Sequence, residues 1–146
     1  AVENTDYVNQ KYDEEAVCQE IQDELGVLPI RFKYRPEGME LTWYQIDTDS
    51  GEAVLEYSIG EKTLHVTVYE KNKDSSIGSQ YDGDVLEEIV QASVGRQVPI
   101  YELEGSAQGK YYVTTFDDLN TYYEISSDVE KEEFEKIIEN ILIKNE

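Results

Sequence analysis

The strongest constraint in this chain is a period of two. In "TLHVTVYE", Leu64, Val66 and Val68 alternate with Thr63, His65, Thr67 and Tyr69. Successive side chains of a strand point to opposite faces, so this stretch has one apolar face and one polar face. That is the signature of a half-buried antiparallel strand. "MELTWYQID" and "AVLEYSI" precede it, with turns at "TDSGE" and "GEK" that carry the Gly and Asp residues hairpins prefer. The three stretches read as a meander. "QVPIYELE" and "KYYVTTF" read as a hairpin around "GSAQG", and "TYYEIS" follows as a further strand. A short extended stretch, "PIRFKYRP", comes before the first meander, and its Arg31, Lys33 and Arg35 form a local basic stripe.

Helical spacing appears in three places. Tyr12 to Leu25 places Val17, Ile21 and Leu25 on one face, and Gly26 follows as a C-cap. "VLEEIVQASV" is predicted as a short helix, with Asp84 as N-cap, Glu87 at the capping-box position and Gly95 after its end. Val129 to Ile143 is predicted as the last helix. Ser127 and Glu130 fit a capping box there, and Phe134, Ile137, Ile138 and Ile141 fall at i, i+3, i+4 and i+7. Glu132 and Lys136 stand in the favourable i, i+4 order, and Lys144 sits near the negative end of the dipole.

At 146 residues the chain suits one domain with one core. Residues 1–11 read as a polar lead-in or linker, and residues 12–146 as a single α+β domain. Its expected architecture is an antiparallel sheet of about seven strands, with N-terminal, middle and C-terminal helices packed on it. Two meanders separated by a helix hint at a divided sheet. "KNKDSSIGSQYDGD" reads as a mobile loop.

Charge narrows the function classes. Twelve Lys and Arg against 33 Asp and Glu leave a formal charge of −21. Such a surface repels phosphate backbones and anionic headgroups, so nucleic acid is not an expected partner. Twelve tyrosines stand against three phenylalanines. A tyrosine buries its ring while its hydroxyl keeps a polar partner, which suits half-exposed strands. No run of 18 apolar residues occurs, and no signal peptide is visible in the chain, which begins abruptly at "AVENTDYVNQ".

Candidate chemistry is sparse. Cys18 is the single cysteine, so no internal disulfide is possible, and its helical spacing makes it a core residue. His65 is the single histidine, and nothing in the sequence indicates that Cys18 or any serine approaches it. A nucleophilic triad would have to use it; the simpler reading is a strand histidine on the polar face. Asp47, Asp49 and Glu52 in "DTDSGE", and Asp82 and Asp84 in "DGD", offer oxygen ligands at short spacing as calcium candidates. The same residues serve as ordinary turn formers and helix caps. "EGSAQGK" falls one residue short of a phosphate loop and sits in a hairpin. No cofactor is expected. Trp43, Tyr101, Tyr112 and Tyr123 are candidate ligand-binding aromatics, either as cross-strand pairs or as a shallow platform.

The segment from Val98 to Ile143 resembles the C-terminal signature of a domain-of-unknown-function family. That family is found at the extracytoplasmic ends of Gram-positive, Clostridia-type membrane proteins, some of them related to anti-sigma factors. The shared parts are the hairpin "ELEGSAQGKYYV", the aromatic strand "NTYYEISS" and the helix "EKEEFEKIIENIL". "LGVLPIRFKYRPEGMEL", with Pro29 and Pro36 around a strand, is also similar to the family's opening segment. The resemblance implies an extracytoplasmic, cell-surface or secreted location, with a membrane anchor preceding Ala1. It carries no catalytic residue across.

The expected role is a non-catalytic sensing or binding domain of a membrane-anchored or exported protein. Its partner would be a protein, a peptide or a wall glycan, and it would meet the membrane only through the preceding anchor. The alternatives are a secreted hydrolase or hydrolase accessory with a carboxylate site, and an acidic protein that binds a basic partner.

Overall fold

A computed structural model describes residues 12–71, 85–91, 94–105 and 109–143. The lead-in at 1–11, the loop holding Asp82 and Asp84, the tip of the "GSAQG" turn and Lys144 lie outside the described residues.

The chain opens with helix α1 (Glu14–Leu25). Asp13 caps it, its side chain accepting from the Ala16 amide, and Gly26 closes it in the left-handed region at φ 70°. Strand β1 (Ile30–Phe32) follows. Then come β2 (Met39–Asp47), β3 (Glu52–Ile59) and β4 (Lys62–Glu70), the expected meander. The second group is β5 (Val85–Gln91), β6 (Arg96–Gly105), β7 (Gly109–Asp118) and β8 (Thr121–Ser127). Helix α2 (Lys131–Glu139) and strand β9 (Ile141–Ile143) end the described chain.

The two meanders form one seven-stranded antiparallel sheet in the order β2-β3-β4-β8-β7-β6-β5. The sheet is not divided: β4 of the first group pairs directly with β8 of the second. On its inner face, Leu64, Val66 and Val68 of β4 meet Tyr57, Leu55 and Ala53 of β3, and all six are buried. The same face continues through Tyr123 and Ile125 of β8 and Tyr112, Thr114 and Phe116 of β7. Helix α1 meets β2 and α2 meets β5, so the two helices cover opposite halves of this face.

Three further expectations are corrected. The middle helix is strand β5, which leaves two helices among the described residues, not three. "VLEEIVQ" carries three β-branched residues, Val85, Ile89 and Val90, and these favour a strand once β6 supplies a ladder. Ile89 and Gln91 are buried whereas Val90 is exposed, which is the alternation of a strand. The last helix is also shorter than predicted. Asn140 leaves helical geometry at φ −122°, and Ile141–Ile143 pair antiparallel with Ile30–Phe32 in a two-stranded ribbon. Ser127 does not form the capping box. Its hydroxyl donates to the Thr63 carbonyl, and Glu130, the N-cap, makes no side-chain cap bond.

The excess of tyrosine now has a structural reason. Tyr44 of β2, Tyr57 of β3 and Tyr34 beyond β1 donate their hydroxyls to Glu20, Glu14 and Glu133, at 2.7, 2.8 and 2.6 Å. The rings line the core and the tips satisfy helix carboxylates, which a phenylalanine could not do. Burial and the Glu14 carboxylate together hold the Tyr57 phenol well above its ordinary range. The basic stripe has its partners in the same helices. Arg31 and Arg35 pair with Glu15 and Glu14, and Lys136 stands 4.8 Å over the Tyr34 ring.

One core group breaks the pattern. Thr114 is fully buried, and among the described residues its hydroxyl has no hydrogen-bond partner. Thr114→Val keeps the shape and removes an unsatisfied polar atom, so it is expected to raise stability by about 1 kcal/mol in a urea melt. A loss of stability would mean that the hydroxyl has a partner.

Candidate functional site

The outer face of the sheet carries the polar half of the alternation. Register sets Trp43, Glu56, His65, Ser126, Val113 and Tyr101 in one cross-strand row, running from β2 to β6. Trp43 reaches this face because of a bulge between Leu41 and Trp43. Strict alternation would place it inward beside Leu41. The bulge shifts the phase, so Tyr44 and Ile46 pack on the core and Trp43 stands outward, 36% exposed.

His65 is the centre of the row. Its Nε2 lies 3.8 Å from Glu56 Oε2, and Ser126 is its direct neighbour on β8. This is a long contact between half-exposed groups, and no hydrogen bond links His65 to Ser126 among those described. A depression of about 330 Å3 opens beside them, lined by Thr63, His65, Tyr111, Ser126 and Asp128. Asp128 is fixed there because its Oδ1 accepts from the Thr63 amide at 3.0 Å. A second hollow of about 270 Å3 adjoins it, where Lys62 and Lys110 face Tyr112 and Asp128. Lys110 is held by Glu102 at 3.2 Å, and that contact raises the ammonium pKa. The end of the sheet therefore offers hydroxyls, a carboxylate, an imidazole and two ammonium groups along a shallow surface. Such a surface binds by hydrogen bonds and ring contacts.

The candidate aromatics divide between the faces. Trp43 and Tyr101 lie on the outer row. Tyr123 faces the core, stacks on Phe116 at 5.2 Å between centroids and donates to the Leu28 carbonyl. Tyr112 is also buried, 6.1 Å from Phe134, with part of its surface lining the second hollow. Ser126 and Asp128 were not legible as site residues, because only the β4–β8 register brings them to His65, whereas alternation alone sets Thr63 beside it.

The calcium candidates sit in a turn. Asp47 Oδ1 accepts from the amides of Asp49 and Ser50, which is turn chemistry. Asp47 and Glu52 are cross-strand partners, and burial together with the Asp47 charge raises the Glu52 pKa. Among the described residues, no group of three or more His, Cys, Asp or Glu is placed to hold a metal ion. A pair of carboxyls does meet between β5 and α2. Lys131 Nζ lies 3.5 Å from Glu87 Oε1 and 3.3 Å from Glu135 Oε2. Burial first, and Glu87 second, raise the Glu135 pKa.

Cys18 is buried in α1, and burial pushes its thiol up to about 11. The neutral thiol is a poor nucleophile. The native protein is expected to resist Ellman's reagent at pH 7 and to react fully in denaturant. Rapid labelling of the native chain would contradict this placement.

Among the described residues, no helix is long and apolar enough to cross a membrane. The sequence model of a domain of unknown function, DUF4367, matches residues 29–141, most of the chain. No curated protein matches it.

Proposed function

We propose that this chain, which belongs to the DUF4367 family, is an extracytoplasmic binding domain of a membrane-anchored or exported protein. Its ligand is an extended polar molecule, a peptide or a wall glycan, laid across the outer face of the sheet. The observation that carries this reading is the row from Trp43 to Tyr101. Five inter-strand steps of about 4.8 Å give a track of roughly 24 Å, long enough for several sugars or residues, in which Val113 is buried beneath its neighbours and the other members reach the surface. An indole at one end and a phenol at the other supply flat surfaces, and Glu56, His65 and Ser126 supply hydrogen bonds between them. Sensing follows if occupancy of this face is passed to the rest of the anchored protein.

Trp43 is the only tryptophan, so its emission reports on the row without a label. Titration with soluble wall-glycan fragments and short peptides is expected to shift that emission saturably. Tyr101→Ala, a half-buried residue at the far end of the row, is expected to weaken binding about tenfold. Emission that stays unchanged by every wall fragment and peptide would remove this face as the site.

A further inference from the structure

A second surface lies at the edge of the sheet. β5 is an edge strand, and among the described residues its protections are a bulge between Val85 and Glu87 and two glutamates. Natural edges carry lysines, prolines or a cover. Among the residues of β5 there is no Lys, Arg or Pro. Leu86 and Val90 are instead 43% and 61% exposed, two of the four exposed large hydrophobics among the described residues. The exposed Glu88 lies between them. The opposite edge, β2, carries a bulge in mid-strand, between Leu41 and Trp43, whereas that of β5 lies at its start and leaves residues 87–91 in regular register.

The backbone direction follows from Pro99. Glu88 is opposite Pro99 in the β5–β6 register, and proline has no N–H to give. That pair is therefore not a hydrogen-bonded one. In an antiparallel ladder the two kinds of pair alternate, so Ile89 and Gln91 bond to β6 while Glu88 and Val90 turn their N–H and C=O groups outward. Among the described residues no strand pairs with this edge, which presents outward backbone groups, two apolar side chains and a carboxylate.

We propose that this edge accepts an extended, lysine- or arginine-bearing segment of another protein as an added antiparallel strand. The backbone of such a segment completes the ladder, its apolar residues cover Leu86 and Val90, and a cation meets Glu88. A second copy of this chain fits poorly. It would bring Glu87 and Glu88 towards a molecule of formal charge −21. The edge adjoins the outer-face row, because Tyr101 pairs with Val85, but it binds through the outward backbone groups of Glu88 and Val90, so Val90→Pro and Tyr101→Ala tell the two surfaces apart.

The test uses the folded chain, isotope-labelled, and a synthetic peptide of repeating Val-Thr-Lys-Thr pattern, which alternates valine and lysine along one face of its strand. Amide shifts centred on residues 86–90 are expected. Val90→Pro removes an outward N–H and leaves the bonds to β6 intact, so it should weaken binding about tenfold without lowering the melting temperature. Glu88→Lys should weaken it to a similar degree, about tenfold. A proline at the centre of the peptide should abolish the shifts. Three outcomes would overturn the proposal: no shifts at millimolar peptide, shifts spread over the acidic surface and indifferent to Val90→Pro, or pairing of β5 with a second copy on sizing and cross-linking.

Discussion

Phe134→Ala is expected to lower the unfolding free energy by about 3–5 kcal/mol. Phe134 is fully buried on α2, beside Ile137 and Ile138, and its ring lies near Tyr112 of β7. Its removal leaves a ring-sized cavity between helix and sheet, where both walls are held by their own hydrogen bonds and cannot collapse. A urea melt with unchanged slope and a reduced midpoint is the expected form of the result. A loss under about 1 kcal/mol would mean that α2 does not close the core.

Gln91→Glu is expected to cost about as much, roughly 3–5 kcal/mol at neutral pH. Gln91 is fully buried at the end of β5. Its Nε2 donates to the Ile141 carbonyl of β9, and its Oε1 accepts from the Val94 amide at 2.8 Å. The substitution preserves shape and replaces the donor by an acceptor, so a buried carboxylate faces a carbonyl oxygen. The introduced carboxyl has a folded pKa raised above its unfolded value, so it binds its proton more readily in the native state. Its penalty is present in full above the folded pKa and shrinks as pH falls towards the ordinary glutamate range. The deficit against the parent chain should therefore narrow between pH 7 and pH 5. A small, pH-independent loss would place position 91 in water and undo the link between β5 and β9.

These two residues mark where local sequence was informative and where it was not. Phe134, Ile137 and Ile138 declare themselves by helical spacing, because a helix on a sheet buries one stripe. The meanders are legible for the same reason, through Leu64, Val66 and Val68 and their partners. β5 was not. Apolar residues at 85, 86, 89 and 90 also fit a helical face, and Asp84 and Gly95 resemble caps. What decides between the two is the ladder offered by β6, a tertiary partner. β9 has the same origin. Ile141 continues the stripe of α2, yet its partner is Phe32, more than a hundred residues earlier.

The outer-face row was partly legible. Trp43 and Tyr101 were candidates, and alternation put His65 on the polar face. That Trp43 shares this face depends on a bulge, and that Ser126 and Asp128 join His65 depends on the β4–β8 register. Neither leaves a pattern within its own strand. The acidic excess has a structural share that composition conceals. Glu14, Glu15, Glu20 and Glu133 hold tyrosines and arginines against the core rather than face a partner.

The domain as proposed meets its ligand outside the cell. The most direct measurement tags the C-terminus of the native, full-length protein in its own host and treats intact cells with protease. The membrane, cytosolic and medium fractions are then compared. The expected result is a tag in the membrane fraction that is removed from outside, or a tag released to the medium. A tag that stays in the cytosolic fraction and survives protease until the cells are broken would contradict the extracytoplasmic reading.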